Sequence, residues 1–363
     1  MAASGKLPAI VNGDRLTVHP GDHLGALLPY SLLRKALFLL EPERSHHLSL
    51  QAMKWGEQLH LGGLYRKKIA DYPVMSMGLT FPNPIGLAAG LDKNGDYIDG
   101  LGNLGFGFIE IGTVTPRPQP GNPQPRLFRL PEHEAIINRM GFNNKGVDYL
   151  VRQVEKRHYQ GILGINIGKN ADTPVEQASR DYLTCLERVY PYADYIAVNL
   201  SSPNTPGLRS LQLGDAMKKL ITELADCKSG LSAQHRKHVP MLVKIAPDMS
   251  DDEIHRIAEV AVECKIDGLI ATNTTIARDR VKDSVYAQEA GGLSGKPVFD
   301  ASTHVLQELQ KNLGDKLCLI GVGGIDSAQT AKEKFATGAD LIQLYTGFIY
   351  RGPELLNRIR ESL

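Results

Sequence analysis

From about residue 78 to the C terminus the chain repeats one pattern: a short aliphatic run, a polar or Gly-rich turn, then an amphipathic helical stretch. Strand-type runs occur at 84–88, 108–112, 162–167, 195–200, 240–245, 268–272, 317–322 and 341–344. They are mostly continuous Val, Ile, Leu and Ala. Such runs mark parallel strands covered by helices on one face and packed inside on the other. Eight units over about 285 residues favour a closed barrel over an open doubly wound sheet. The predicted fold class is α/β, a (β/α)8 TIM barrel with a small N-terminal α-helical segment.

The helical stretches carry their own start and stop signals. Ser250-Asp251-Asp252-Glu253 reads as a capping box, and Ile254, Ile257, Ala258 and Ala261 behind it share one helical face. Another helix is predicted to open near Asp326-Ser327 and to stop at Gly338, where a left-handed residue costs glycine little. Residues 115–137 and 278–297 break the alternation. Both follow strand ends, so they are read as excursions over the mouth of the barrel, where such folds keep their functional loops.

The N-terminal part differs. Leu27, Leu28, Leu32, Leu33, Ala36, Leu37, Leu39 and Leu40 crowd one segment that Pro42 interrupts. A second segment carries Leu48, Ala52, Trp55 and Leu59 at helical spacing and ends at Gly62-Gly63. Two readings fit: a helical cap packed on the barrel, or an amphipathic helix pair resting on a membrane surface. The expected organisation is an extension over 1–23, a helical membrane-facing segment over 24–77 and the barrel over 78–363.

Composition excludes several classes. The chain has 41 basic and 40 acidic side chains among 363 residues, which rules out a nucleic-acid binder relying on a basic field. Cys185, Cys227, Cys264 and Cys318 form no CxxC or CxxH pair, so no metal centre or disulfide framework is expected and a reducing compartment is the simplest reading. No stretch reaches the ~18–20 uninterrupted apolar residues of a membrane-spanning helix. Asp14, Arg15 and Asp22 make the start unlike a secretory signal.

The turns after the predicted strands carry the chemistry. In 86–93, Ala88, Ala89 and Gly90 leave room for a planar ligand against the backbone, and Lys93 can present a cation. Residues 138–144 hold three amides and a glycine, suited to a heterocycle with alternating C=O and N–H groups, though Asn also favours turns. Asn199-Leu200-Ser201-Ser202-Pro203-Asn204-Thr205 closes strand four. Ser202 reads either as a turn residue or as a base for a carbon-bound proton; no GxSxG elbow supports a hydrolase nucleophile. Lys244 interrupts an apolar strand and needs either a carboxylate or an electron-rich cofactor. Gly321-Val322-Gly323-Gly324 and Tyr345-Thr346-Gly347 end strands seven and eight, the usual phosphate cradle of such barrels. A phosphate tail there and a flat body reaching Lys244 describe FMN better than a sugar phosphate.

With these motifs in place the chain resembles the dihydroorotate dehydrogenases. The resemblance rests on 86–93, on Ile-Gly-Thr-Val-Thr-Pro (111–116), Ile-Asn-Arg-Met-Gly-Phe-Asn-Asn (137–144), the 199–207 loop, Val-Lys-Ile-Ala-Pro-Asp (243–248), Gly-Gly-Leu-Ser-Gly (291–295) and Gly-Val-Gly-Gly-Ile (321–325). A serine at the base position with a helical N-terminal segment is similar to the membrane-associated, quinone-dependent class 2. The resemblance implies oxidation of (S)-dihydroorotate to orotate in pyrimidine synthesis, with Ser202 taking the C5 proton and the C6 hydride passing to FMN. It implies FMN contacts at Ala89, Gly90, Leu91, Asp92, Lys93, Thr113, Asn166, Asn199, Lys244, Thr272, Gly295, Gly324, Tyr345 and Thr346. Substrate contacts are implied at Lys93, Asn138, Arg139, Met140, Gly141, Phe142, Asn199, Asn204, Asn273 and Thr274, with Thr205 and Phe142 on the proton's exit. A quinone as final acceptor, peripheral association with the cytoplasmic side of the inner membrane, and no obligate protein partner complete these expectations. Pro82 stands where relatives often carry a basic residue, so differences in the quinone contacts are expected there. A soluble relative would use a Cys base, and none of the four cysteines lies in 199–205. A cofactor-free isomerase and a non-enzymatic membrane scaffold share the fold and are separated by bound flavin and its reduction.

Overall fold

The computed structural model describes residues 30–58 and 72–363. The expectations for 1–23, Leu27, Leu28, Leu59 and Gly62-Gly63 lie outside the described residues. In chain order the helices are α1 (Tyr30–Phe38), α2 (Pro42–Gln58), α3 (Ile98–Gly102), α4 (Val147–Val154), α5 (Ala178–Val189), α6 (Gly214–His235), α7 (Asp251–Glu263), α8 (Phe299–Leu313), α9 (Ala328–Ala336), α10 (Thr346–Arg351) and α11 (Glu354–Arg360). The strands are β1 (Val74–Ser76), β2 (Leu79–Phe81), β3 (Ile85–Leu87), β4 (Phe108–Val114), β5 (Leu127–Leu130), β6 (Ala135–Asn138), β7 (Ile162–Ile167), β8 (Tyr195–Asn199), β9 (Met241–Ile245), β10 (Gly268–Ala271), β11 (Gly292–Gly295), β12 (Cys318–Val322) and β13 (Leu341–Leu344).

Strands β3, β4, β7, β8, β9, β10, β12 and β13 pair in that order and close on themselves, every pairing parallel. Each coincides with one of the eight predicted runs to within two residues. The layer between barrel and helices holds the larger core, with Ile109, Ile165, Ile196, Val243 and Leu269 facing outward onto helix residues such as Leu186, Ile221 and Ile257. Inside, Phe108, Tyr195, Leu242, Ile270, Ile320 and Leu341 fill the lumen. Space is tight there: a Cβ on Gly86 would sit 2.3 Å from the Phe108 ring.

The hairpin β1–β2 was not among the predicted strands. Its turn residues Met77 and Gly78 both have positive φ (53° and 76°), and it drives Val74 and Phe81 into the bottom of the barrel. Residues 74–77, assigned above to the helical segment, therefore pack with the barrel. Pro82 sits at this same end, exposed, its carbonyl accepting from the Tyr72 amide. It precedes β3, at the pole opposite the strand ends that carry the polar turns, so the expected effect on quinone contacts is not supported by its position.

The two excursions are more ordered than expected. β5, β6 and β11 form a three-stranded antiparallel sheet with a small core of Phe128, Leu130, Ala135, Ile137, Val281 and Leu293. On this sheet rest the N-terminal helices. Glu43 of α2 pairs with Arg126 at 2.6 Å, Arg129 stacks over Phe38, and Tyr30 and Arg34 of α1 donate to the carbonyls of Ile349 and Tyr350. One side of the pair thus packs on the barrel, while Leu32, Leu33, Leu39, Leu48 and Trp55 point outward into solvent. The packed side agrees with the reading as a helical cap on the barrel, and the opposite side presents an exposed apolar face. Among the described residues no helix is long and apolar enough to cross a membrane.

Both predicted helix starts carry capping boxes, Ser250 with Glu253 and Ser327 with Thr330. Ser250→Ala removes the acceptor for the Glu253 amide. It is expected to cost about 1 kcal/mol, read as a lower urea midpoint with an unchanged slope.

Candidate active site

The carboxyl ends of the barrel strands open onto a cavity enclosing about 1050 Å³, part of it shared with solvent. Each wall comes from a different strand. The turn after β3 contributes Ala88, Ala89, Gly90 and Lys93; β4 contributes Thr113; β6 and the loop after it contribute Asn138, Met140, Gly141 and Phe142. Asn199 closes β8 and is followed by Ser202, Pro203 and Asn204, while β9 supplies Lys244. Thr272, Asn273 and Thr274 follow β10, and Gly295, Gly324, Tyr345 and Thr346 complete the far rim. Side chains distant in sequence meet here because parallel strands all point the same end toward one mouth.

Lys244 is 6% exposed, and among the described residues its ammonium has no hydrogen-bond or ion-pair partner. Burial pushes its pKa down, and the charge of Glu110 pulls the other way. That carboxylate is already occupied: Asn166 Nδ2 donates to it at 2.8 Å, the Tyr195 hydroxyl at 2.8 Å and Gln343 Nε2 at 2.7 Å. Three neutral donors hold the anion and leave the cation directed at the cavity. Of the two partners open from sequence, a clasping carboxylate is not what the structure provides.

The amides form a relay of fixed dipoles. Thr113 Oγ1 donates to Asn166 Oδ1 at 2.6 Å, and Asn199 Nδ2 donates to Thr113 Oγ1 at 3.0 Å. Asn273 Nδ2 donates to Ser201 Oγ at 2.9 Å, and Asn204 Nδ2 donates to the Asn138 carbonyl at 3.1 Å. Ser202 is buried, and its oxygen accepts from the Asn204 amide at 3.2 Å. Three residues on, the Thr205 hydroxyl is buried with no partner among the described residues. Lys93 donates to the Gly90 carbonyl at 2.7 Å, and burial, opposed by Glu43, lowers its pKa to about 8.

At the rim, Gly323 and Gly324 have φ of 113° and 72°, and a Cβ on Gly324 would lie 2.4 Å from Phe299. Among the described residues neither amide donates to an acceptor of the chain. This backbone is shaped for an anion.

Four of the residues expected to contact FMN or substrate do not line the cavity, nor does Thr205. Leu91 turns into the hydrophobic core. Asp92 accepts from the amides of Asn94, Gly95, Asp96 and Tyr97, so its carboxylate folds the turn that presents Lys93. Asn166 lies beneath the lining, between Thr113 and Glu110. Arg139 points outward to Glu289 at 2.5 Å and over the Phe128 ring. Conversely, Glu110 and Gln343 escaped the sequence reading, although each is a polar residue inside an apolar parallel strand, the same signal that drew attention to Lys244.

A barrel with a buried cation, an amide-lined body and a glycine-rich turn at strands seven and eight fits the class of cofactor-dependent barrel oxidoreductases. A family profile described as dihydroorotate dehydrogenase matches residues 73–363. A protein named dihydroorotate dehydrogenase (quinone) from Cellvibrio japonicus (strain Ueda107) is 61% identical over 327 residues, covering 90% of this chain and 96% of its own. Another of the same name from Pseudomonas fluorescens (strain SBW25) is 59% identical, covering 92% and 98%. The crystal structure of the Eimeria tenella enzyme in complex with ferulenol superposes with a TM-score of 0.81 at 39% identity, covering 88% of this chain and 90% of that one. The chain belongs to the dihydroorotate dehydrogenase family, and its relatives place it in the quinone-dependent class 2. The family is flavin-dependent.

Proposed function

We propose that the cavity holds FMN, with its phosphate in the Gly323-Gly324 and Thr346 cradle and its ring between the Ala89-Gly90 turn and Lys244, and that Ser202 is the catalytic base. The reaction is the oxidation of dihydroorotate with a quinone as acceptor, a step of pyrimidine biosynthesis. The observation that carries the assignment is Lys244: a buried ammonium without a partner of its own is costly unless a ligand completes it. Thr272, Gly295, Tyr345, Thr113 and Asn199 line the same cavity and are the proposed further cofactor contacts. When bound, FMN supplies the hydride acceptor. Lys244 keeps a fixed positive charge against the ring, which favours charge that builds there. Asn138, Asn199, Asn204, Asn273 and Thr274 offer donors and acceptors to a pyrimidine, with Met140, Gly141 and Phe142 closing the loop over it. Ser202 Oγ takes the substrate's carbon-bound proton as its own hydroxyl proton leaves, and Thr205, whose buried hydroxyl has no partner among the described residues, is the proposed next group on that path. Heat-denaturing the purified chain and identifying the released chromophore tests the cofactor; release of FMN in one-to-one amount is expected, and a colourless protein contradicts the reading.

Lys93 gives a pH dependence. Its ammonium is present below about 8 and lost above it. Affinity for orotate, a carboxylate, is therefore expected to fall by up to ~10-fold per pH unit above that value. Lys93→Met should bind orotate weakly and with no such slope in a fluorescence titration.

Helices α1 and α2, the helical part of residues 24–77, are proposed as the quinone and membrane segment, with peripheral attachment to the cytoplasmic face of the inner membrane. The outward Leu32, Leu33, Leu39, Leu48 and Trp55 support this, while on the inner side of α2 His46 stands near Lys93 and is kept neutral by burial, its pKa down to about 3. Replacing Leu32, Leu33 and Leu39 together by Ser should cut co-sedimentation with anionic lipid vesicles at least fivefold, at ~0.8 kcal/mol per buried CH₂, and spare flavin reduction. Unchanged vesicle binding would remove the membrane role of this face.

A further inference from the structure

Away from the cavity, imidazoles and carboxylates of the described residues converge on the outer helical layer. Helices α7 and α8 pack side by side there. Asp251 and His255 stand four residues apart on α7, and His304 and Glu308 four apart on α8. That spacing puts each pair on one helix face, so two such faces in contact gather four donors. His304 Nε2 lies 2.7 Å from Asp251 Oδ1, and His255 Nε2 lies 3.3 Å from Glu308 Oε2. Donor atoms of Asp251, His304 and Glu308 all fall within 4.8 Å of one another. Glu308 is nearly buried at 9%, whereas Asp251 and His304 remain open at 56% and 50%.

We propose that this seam binds a divalent transition metal of the zinc type, through Asp251, His304 and Glu308 with His255 as the fourth ligand. Two separate ion pairs would account for the contacts of Asp251 with His304 and of His255 with Glu308. They do not require Glu308 to approach the first pair as well, and that three-way convergence is what one ion uses. Bonds of ~2.0–2.1 Å in a tetrahedral site separate donors by about 3.3 Å; the His255–Glu308 contact has that spacing, Asp251, His304 and Glu308 lie within 4.8 Å of one another, and His255 joins that group as the ion draws the donors together. Imidazole donors select zinc, cobalt or nickel over magnesium and calcium. Two carboxylates and two neutral imidazoles balance a dication, each imidazole binding through Nε2 with its proton on Nδ1. Lys311 holds Glu308 Oε1 at 2.5 Å, which orients Oε2 toward His255. The ion would staple the helix that follows β9 to the helix that leads into β12, leaving the reacting groups untouched.

The test uses the purified full-length protein with its bound cofactor, dialysed against a chelator. Zinc is titrated by calorimetry, and cobalt by visible absorption beyond the flavin bands. One ion per chain is expected, with an intense cobalt spectrum of tetrahedral type and a thermal midpoint that rises with zinc. His304→Ala and His255→Ala, both at solvent-accessible positions, should each weaken zinc at least tenfold and abolish the cobalt spectrum. His158→Ala, a surface histidine paired with Asp99 elsewhere, should bind as the parent does. No binding, or binding that neither cluster variant weakens, overturns the proposal.

Discussion

Ser202→Ala is expected to slow reduction of bound flavin by dihydroorotate by ~10²–10⁴-fold, the usual worth of a positioned general base. The flavin should remain bound. The serine lies on the loop after β8, and its oxygen accepts from the Asn204 amide, so the hydroxyl proton is free to turn toward a base or relay. Among the described residues no imidazole or carboxylate hydrogen-bonds it, so solvent in the cavity must carry the proton away, with Thr205 the proposed further relay. Stopped-flow mixing at the flavin band reads the effect directly. A parental rate in the variant would take Ser202 out of the base role.

Lys244→Met produces the second large effect. The side chain is of similar length and apolar, so the strand should accept it beside Asn199 and Ile270, its register partners on the flanking strands, while the cavity loses its one buried, unpartnered cation among the described residues. Removing a fixed charge from such a site typically costs ~10²–10³ in rate, and flavin affinity should fall with it. Stability moves the other way in the cofactor-free protein. Burial depresses the Lys244 pKa, so the folded state holds this proton less tightly than the unfolded chain does. Stability of the cofactor-free parent should therefore rise with pH toward the ordinary lysine range and decline as pH falls below it. The variant should lack that slope and should match or exceed the parent near neutrality, by denaturant titration. A variant less stable than the parent at every pH would mean that Lys244 serves the fold instead.

The barrel was legible because each of its strands is a contiguous apolar run bounded by turn residues, and β7 and β13 begin and end where those runs do. Lys244 was legible for the same reason, a charge where every neighbour is aliphatic. Glu110 and Gln343 carried that signal too, but their meaning depends on which strands are neighbours in the barrel, and only that order brings Asn166, Tyr195 and Gln343 to the same carboxylate. The sheet of β5, β6 and β11 was obscured because two of its strands are hairpin partners and the third arrives some 150 residues later. Arg139 shows the limit of motif transfer. It stands between lining residues in sequence, yet the strand alternation of β6 turns it outward onto Phe128 and Glu289. Spacing of cysteines likewise says nothing about Asp251, His255, His304 and Glu308, which meet only because α7 packs on α8.

The central claim is that a buried cation and a glycine cradle hold a flavin that passes electrons from a dihydropyrimidine to a quinone. Sequential stopped-flow on the full chain tests it most directly, mixing first with dihydroorotate in the absence of oxygen and then with a quinone. The account predicts that the visible flavin band bleaches in the first mix and returns in the second. A band that dihydroorotate leaves unchanged, or a purified protein without one, would contradict it.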